Sequence, residues 1–253
     1  MATRLEHTWG VTPPRRRSEP SPQLSFVDVR GGRGGRRKGA GRPEGARPNV
    51  RHFTRPAHDH AVPSLVTLRR ANGLPSLRHE RIRRLFEKAI RDTCAQRSRE
   101  GFRIVEYSIQ SDHVHLIIEA DDNLRLARGM QSFAVRVAMR INRTILERRS
   151  GRVWGDRYHR RDLPSPAEVR SALVYVLRNH VKHGHSAVAA LDPCSSGPWF
   201  EGWHHHPPVP PDPRPVEKPW TWLLEKGWQR ASIGFIHIDE VPRAARERRT
   251  PRR

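Results

Sequence analysis

Two strand-like segments separated by only three residues constrain the fold of this chain more than any other feature. The segments are Phe102–Ile109 and His113–Glu119, and both are rich in branched and aromatic residues. Because the connection Gln110–Asp112 is so short, the two strands are expected to pair as an antiparallel hairpin. The hairpin restricts the chain to folds in which helices pack on a sheet with antiparallel strands.

Amphipathic helices are predicted on both sides of this hairpin. Leu77–Arg97 and Leu124–Glu147 carry apolar residues at helical spacing on one face and arginines on the opposite face. A third helix is predicted from Pro166 to about His183, with Ser165 as its N-cap and the proline in its first turn. The apolar face of each helix must be buried, and the predicted sheet is the surface against which it would pack.

The remaining strands complete a regular order of elements. One strand is predicted within Val62–Arg69, and a turn with a fourth strand within Val153–Leu163. Over residues 60–184 the order is β-α-β-β-α-β-α, and its first six elements follow the ferredoxin-like pattern. We therefore expect an α+β fold with a four-stranded antiparallel sheet and two helices on one face. The additional C-terminal helix would lie on the other face, where a site could form.

Composition divides the chain into three parts. Residues 1–58 are rich in arginine, glycine and proline and are expected to form a disordered basic arm. Residues 59–200 form the predicted catalytic domain, and residues 201–253 form a proline- and tryptophan-rich extension. Within the arm, Gly41-Arg42-Pro43 resembles the centre of a minor-groove AT-hook, and a solvated tail is the alternative.

The charge of the chain favours a polyanionic partner. Its 253 residues include 48 Lys and Arg and 26 Asp and Glu, which gives a net charge of +22. Nucleic acid is the first expectation for such a balance. No apolar run is long enough for a membrane span, and the first residues do not resemble a secretory signal. With only Cys94 and Cys194, the chain is expected in a reducing compartment, the cytoplasm, at the nucleoid.

The strongest local signal for chemistry is His113-Val114-His115. On a strand, residues two apart point to the same side, so the two imidazoles would project together while Val114, Leu116 and Ile118 face the helices. Two imidazoles placed in this way can bind one divalent ion. The alternative is a pair of ordinary surface histidines. A further run, His204–His206, lies in a proline-rich segment and is a weaker metal candidate.

The third helix brings a possible nucleophile towards these histidines. Tyr175, Asn179 and Lys182 share one stripe, at i, i+4 and i+7. If the helix crosses the open face of the sheet, Tyr175 and Asn179 would face the two histidines. The alternative for Tyr175 is an ordinary helix tyrosine with a solvated hydroxyl. The chain contains neither a phosphate-binding G-x-x-x-x-G-K-[ST] loop nor a G-x-S-x-G nucleophile elbow.

Several motifs in this order resemble those of a known family. They are HVHLII at 113–118, the long basic helix, the segment with Trp154, Arg157 and Tyr158, and YVLRNHVKHG at 175–184. Together they resemble the single-tyrosine HUH transposases of the IS200-like family, most closely the branch of REP-associated tyrosine transposases. The resemblance covers roughly residues 60–200. The family often has Asn-Pro where this chain has Asn179-His180.

The resemblance implies an enzyme that cleaves and rejoins single-stranded DNA at hairpin-flanked sites. It implies Tyr175 as the nucleophile and His113, His115 and Asn179 as ligands of Mg²⁺ or Mn²⁺. The product of cleavage would be a covalent 5′-phosphotyrosine. The residues expected to contact DNA are Arg140, Arg143, Trp154, Arg157, Tyr158, Arg160 and Lys182.

Other functions stay open at this point. A non-catalytic DNA- or RNA-binding protein could retain the fold without using the His113, His115, Tyr175 and Asn179 set. A plasmid relaxase or a replication initiator would have related chemistry, although such chains are usually larger. Insertion-sequence members of the family exchange the tyrosine helix in dimers, whereas REP-associated members tend to be monomers. The closer resemblance favours a monomer over a homodimer.

Overall fold

The structure is a computed structural model that describes residues 55–145, 151–182, 191–205, 207–211, 213–231 and 234–242. Most of the expected basic arm, including Gly41-Arg42-Pro43, lies outside the described residues. The expected disorder of that arm therefore stays a prediction. Residues 55–58, the described end of the arm, include Arg55, whose guanidinium lies 3.7 Å from the ring centre of Tyr158.

Four strands form one antiparallel sheet. They are β1 (Ser64–Arg69), β2 (Phe102–Ile109), β3 (His113–Ala120) and β4 (His159–Asp162). Their spatial order is β2-β3-β1-β4, and every neighbouring pair is antiparallel. This is the ferredoxin-like order. It confirms the predicted α+β fold and the hairpin between β2 and β3.

Helices cover both faces of the sheet. On one face, α1 (Glu80–Arg97) and α2 (Asn123–Thr144) pack over a core that includes Val114, Leu116 and Ile118 of β3. On the other face, α3 (Pro166–Leu177) packs in a second apolar cluster with Val105 of β2 and Ile117 of β3. Alternate residues of β3 therefore serve different layers, as the period of two requires.

The described part of the C-terminal extension adds to the second cluster. Trp203, Leu224, Trp228 and Ile236 are buried there beside α3. Leu224 belongs to α5 (Trp222–Glu225), a single helical turn that precedes a 3-10 turn at Gly227–Ala231. The sequence of residues 219–229 could form one short helix, but the structure has two separate turns there.

The ends of two helices differ from the sequence-based expectation. α1 begins at Glu80 rather than Leu77, because the side chain of His79 caps it by accepting from the backbone N–H of Arg81. α3 ends at Leu177 rather than about His183, and a separate turn, α4, covers Asn179–Lys182.

The early end of α3 has a local cause. The backbone of Arg178 leaves helical geometry at φ −112° and ψ 10°. Its buried side chain turns to the C-terminal segment, where Nε donates to the carbonyl oxygen of Glu240 over 3.4 Å. The next residues are asparagine, histidine and valine, which are weak helix formers. Ending the helix at this point therefore sacrifices little helix propensity.

Candidate active site

The two histidines of β3 lie together under α3. Nε2 of His113 is 2.9 Å from Nε2 of His115, and the ring centres are 4.6 Å apart. Their exposed fractions are only 8% and 4%, so they are not ordinary surface histidines. The prediction that both imidazoles project from the same face of the strand is confirmed.

Asp112 orients the first histidine. Its Oδ1 lies 2.6 Å from Nδ1 of His113, and its Oδ2 accepts from Arg69 over 2.6 Å. Burial alone would raise the pKa of Asp112, but the hydrogen bond with His113, together with the charges of His113 and Arg69, lowers it below its usual value. The carboxylate is therefore ionised at neutral pH and accepts the proton on Nδ1, which leaves Nε2 to face His115.

Thr67 orients the second histidine from the neighbouring strand. Thr67 is the antiparallel partner of His115 in the register of β1 and β3, and its Oγ1 lies 2.9 Å from Nδ1 of that ring. The sequence analysis assigned no role to Thr67 or to Asp112. Asp112 stood next to the motif in the sequence, whereas Thr67 could have been found only from the strand register.

The third helix places Tyr175 against this pair. Its phenol oxygen is 3.1 Å from Nε2 of His115, and the two ring centres are 4.9 Å apart. Ser165 caps α3 as predicted, by accepting from the backbone N–H of Glu168. Val169 and Leu173 anchor the helix on the sheet. Burial raises the pKa of Tyr175 above its usual value, so the phenol is protonated at neutral pH and donates to His115.

Asn179 lies beyond the end of α3, not on a continuous helix with Tyr175 as the spacing had suggested. Its side chain is fully buried, and within the described residues neither Oδ1 nor Nδ2 has a hydrogen-bond partner. A buried amide without partners is costly. Its oxygen thus has the free lone pairs that a ligand requires.

The chemistry of these donors fits a divalent ion. Two neighbouring ligands of an octahedral ion at about 2.1 Å lie about 3 Å apart, which agrees with the 2.9 Å between the two Nε2 atoms. If both Nδ1 atoms carry the protons, a cation between the two Nε2 atoms would relieve the repulsion of their lone pairs. Among the described residues, no group of three or more His, Cys, Asp and Glu could hold a metal ion. A third ligand from the described residues would therefore be of another type, such as the Asn179 amide.

The residues expected to contact DNA occupy different environments. Arg143 is exposed near the end of α2, whereas Arg140 in the same helix pairs with Asp92 of α1. Arg157 is partly buried. The side chain of Lys182 lies outside the described part of the chain.

Three of these residues have structural contacts on the α1/α2 side of the fold. The indole of Trp154 donates to the carbonyl oxygen of Ala134 over 2.9 Å. Tyr158 packs against the apolar core as well as Arg55. Arg160 donates to Asn123 over 2.9 Å and to Asp162 over 3.1 Å. Contact with DNA stays a prediction for all seven residues.

The histidine run at 204–206 forms a separate surface feature. The ring of His204 stacks on His237 with centres 4.2 Å apart, and the His205 ring lies 4.5 Å away. His206 lies outside the described residues. A metal site at this run stays a prediction.

Comparison with known proteins identifies the segment that carries the site. Residues 72–175, about two fifths of the chain, match the family model described as "Transposase IS200 like". This segment includes His113 and His115 and ends at Tyr175. A comparison with curated proteins finds no significant match.

One of the solved structures that match this chain is described as a REP-associated tyrosine transposase bound to a REP hairpin, with 18% identity and a TM-score of 0.44. The alignment covers 58% of this chain and 82% of that chain. No helix within the described residues is long and apolar enough to cross a membrane. Residues 72–175 of this chain are thus similar to the IS200-like transposase family.

Proposed function

We propose that this protein cleaves and rejoins single-stranded DNA beside hairpins through a covalent 5′-phosphotyrosine at Tyr175. The observation that carries the proposal is the position of the phenol oxygen, 3.1 Å from His115, whose Nε2 is 2.9 Å from His113. The same three residues lie within the segment that matches the transposase family.

The proposed reaction is an in-line displacement at phosphorus. The Tyr175 oxygen forms a bond to phosphorus while the bond to the 3′ oxygen breaks, the phenol proton passes to solvent, and the 3′ oxygen takes up a proton. The tyrosine ester replaces the 3′ ester and the 5′ ester remains, so attack by another 3′ hydroxyl reverses the step, releases the phenol and joins a new strand. No nucleotide cofactor is needed, since the number of phosphate ester bonds is unchanged.

We propose that His113, His115 and Asn179 hold Mg²⁺ or Mn²⁺ in this reaction. A bound divalent ion supplies positive charge that withdraws electrons from a phosphate oxygen and favours loss of the phenol proton. Asp112 and Thr67 hold the two rings in the required tautomer and orientation. α3 fixes Tyr175 on the same face of the sheet.

The proposed substrate is consistent with the charge of the chain. A net charge of +22 favours binding to DNA that depends on salt, and we propose that the protein lies at the nucleoid. Arg143 and Arg157 are the first candidates for phosphate contacts, and Trp154 and Tyr158 for stacking on unpaired bases. We propose that the protein acts as a monomer, because the histidines and Tyr175 that form the site come from one chain.

A cleavage assay tests the proposal. The full chain is incubated with single-stranded DNA that carries the hairpins flanking its own gene, in Mn²⁺, Mg²⁺ or EDTA. We expect a protein–DNA adduct that survives SDS, requires the metal and disappears in Tyr175→Phe, while that variant still binds DNA. Tyr158→Phe is the matched control and should form the adduct. DNA binding without an adduct in either metal, also with a pool of randomised hairpins, would favour a non-catalytic binding protein.

A further inference from the structure

A pocket of about 330 Å³ lies between the edge of the sheet and the C-terminal extension. Val105 and Glu106 of β2 and Leu173 of α3 form one side, and Phe200, Gly202 and Trp228 contribute to the other. All members of the second group lie outside the segment that matches the transposase family. The proposed cleavage reaction gives this pocket no role.

Glu106 is a carboxyl group buried in the wall of this pocket. Only 3% of the residue is exposed, and one oxygen, Oε2, is hydrogen-bonded to the hydroxyl of Ser196. Glu106 lines a pocket that is open to solvent, and its other oxygen, Oε1, is not among the buried polar atoms that lack a partner. Burial raises the pKa of Glu106 to about 7. A ligand with N–H donors that enters the pocket could therefore replace water as the partner of this carboxyl group.

The other lining groups suit an aromatic ligand without a large charge. Phe200 and Trp228 present rings whose centres are 5.9 Å apart. At the entrance, the exposed carboxylate of Glu201 accepts from Arg214 over 2.8 Å and lies 3.9 Å from Lys218. These charges largely cancel, so the pocket is not a phosphate site. A nucleobase combines a flat ring with polar edges and meets these conditions.

The register of the sheet places this pocket next to the candidate active site. Glu106 pairs with Ile117, and Ser108 pairs with His115 across β2 and β3. Glu106 and His115 are therefore diagonal neighbours on the same face of the sheet, with backbones about 7–8 Å apart. A bulge between Ile104 and Glu106 puts both Val105 and Glu106 on that face. A DNA strand held at Tyr175 would thus have a neighbouring nucleotide within reach of the pocket.

We propose that this pocket binds an unpaired guanine of the DNA strand that occupies the site at Tyr175. Guanine is preferred because its Watson–Crick edge presents two adjacent donors, N1–H and N2–H, to the Glu106 carboxylate. Thymine fits worst, since its single N–H is flanked by two carbonyl oxygens that the carboxylate repels. The role of the DNA strand rests on the proposed function, whereas binding of the base can be measured without cleavage.

The test measures binding of single-stranded oligonucleotides by the full-length Tyr175→Phe chain in EDTA. The probes are a dT 12-mer and the same 12-mer with one central guanine, cytosine, adenine or abasic site. We expect the guanine probe to bind about fivefold or more tightly than the others. The preference should vanish in Glu106→Gln and persist in Glu100→Gln, which makes the same change at an exposed residue outside the pocket. Equal binding of all probes, or a preference that survives Glu106→Gln, would overturn the proposal.

A second measurement covers the case in which Glu106→Gln does not fold, as judged by circular dichroism. The same 12-mer with one photoreactive 6-thioguanine, which keeps both N–H donors, is cross-linked to the chain with Glu106 intact. We expect the adduct on a peptide that contains Glu106, Phe200 or Trp228. Adducts exclusively on other peptides would contradict the proposal. Because neither assay requires cleavage, failure of the nuclease chemistry and failure of this inference are separate results.

Discussion

The phenol oxygen of Tyr175 lies 3.1 Å from Nε2 of His115, a residue 60 positions earlier in the chain. The same Nε2 lies 2.9 Å from Nε2 of His113. One lone pair on this nitrogen cannot both accept the phenol proton and bind a metal ion. A metal ion bound there, as proposed, would therefore compete with Tyr175 for His115.

The first prediction follows from this competition. Tyr175→Phe removes the hydrogen bond that a metal ion must displace, and a hydrogen bond contributes about 0.5–1.5 kcal/mol net. The variant should therefore bind Mn²⁺ about 2- to 10-fold more tightly than the unmodified chain, as measured by isothermal titration calorimetry without DNA. Tyr158→Phe should leave the affinity unchanged. Weaker binding by Tyr175→Phe would show that the phenol oxygen helps to hold the ion.

The second prediction concerns the residue that orients His113. Asp112→Asn removes the charge that fixes the proton on Nδ1, and loss of such a partner typically lowers metal affinity about 10- to 100-fold. Electron paramagnetic resonance of free Mn²⁺ measures this loss directly. The matched control is Asp59→Asn, which changes an exposed carboxylate in a turn. If both variants bind Mn²⁺ as the unmodified chain does, Asp112 has no part in the site.

The third prediction links Glu106 to the pH dependence of stability. Its pKa is raised from 4.5 to about 7 by burial in the folded protein, so the folded state retains a proton that the unfolded state has lost. The free energy of unfolding should therefore fall as the pH rises from about 4.5 to about 7, by about 3 kcal/mol from this group.

Urea unfolding at several pH values checks this dependence. Because other groups also titrate in this range, the informative quantity is the difference between the unmodified chain and Glu106→Gln, whose side chain cannot ionise. That difference should grow in favour of the variant as the pH rises from 4.5 to 7. A constant difference would mean that Glu106 titrates normally.

The fourth prediction concerns the attachment of the C-terminal extension. Glu119 of β3 accepts from the backbone N–H groups of Trp220 and Thr221 over 2.7 and 2.8 Å, and from the Thr221 hydroxyl over 2.9 Å. Glu119→Ala leaves these donors without an acceptor and should lower the free energy of unfolding by about 3 kcal/mol. Limited proteolysis should then cut within the extension first.

Glu119→Gln serves as the control for that prediction, because its amide retains one acceptor oxygen. Glu119→Gln should lower the free energy of unfolding by clearly less than Glu119→Ala does. A loss below about 0.5 kcal/mol in Glu119→Ala would place it with ordinary surface substitutions and would refute the anchoring role.

Local patterns in the sequence predicted the layers of the fold. The period of two in β3 assigned Val114, Leu116 and Ile118 to one face and the histidines to the other. The helical periods assigned α1 and α2 to the sheet. Such patterns predict layers well because the buried face of a helix or strand must be apolar, and this requirement creates a period that is visible in the sequence.

The same patterns could not predict contacts between residues that are distant in the sequence. Thr67 meets His115 only through the register of two strands that are distant in sequence, and α3 ends early because Arg178 turns to Glu240. The pocket at Glu106 forms only when residues from the C-terminal extension pack against β2 and α3. The only local sign of the pocket in the sequence was one acidic residue, Glu106, within an apolar strand.

The most direct test of the account is to identify the residue that becomes linked to DNA. The chain contains three tyrosines, Tyr107, Tyr158 and Tyr175, so mass spectrometry of a digested adduct can assign the linkage without ambiguity. The account predicts a 5′-phosphonucleotide on Tyr175 alone, in a reaction that requires a divalent ion. A linkage to Tyr107 or Tyr158, or an adduct that still forms in Tyr175→Phe, would contradict it.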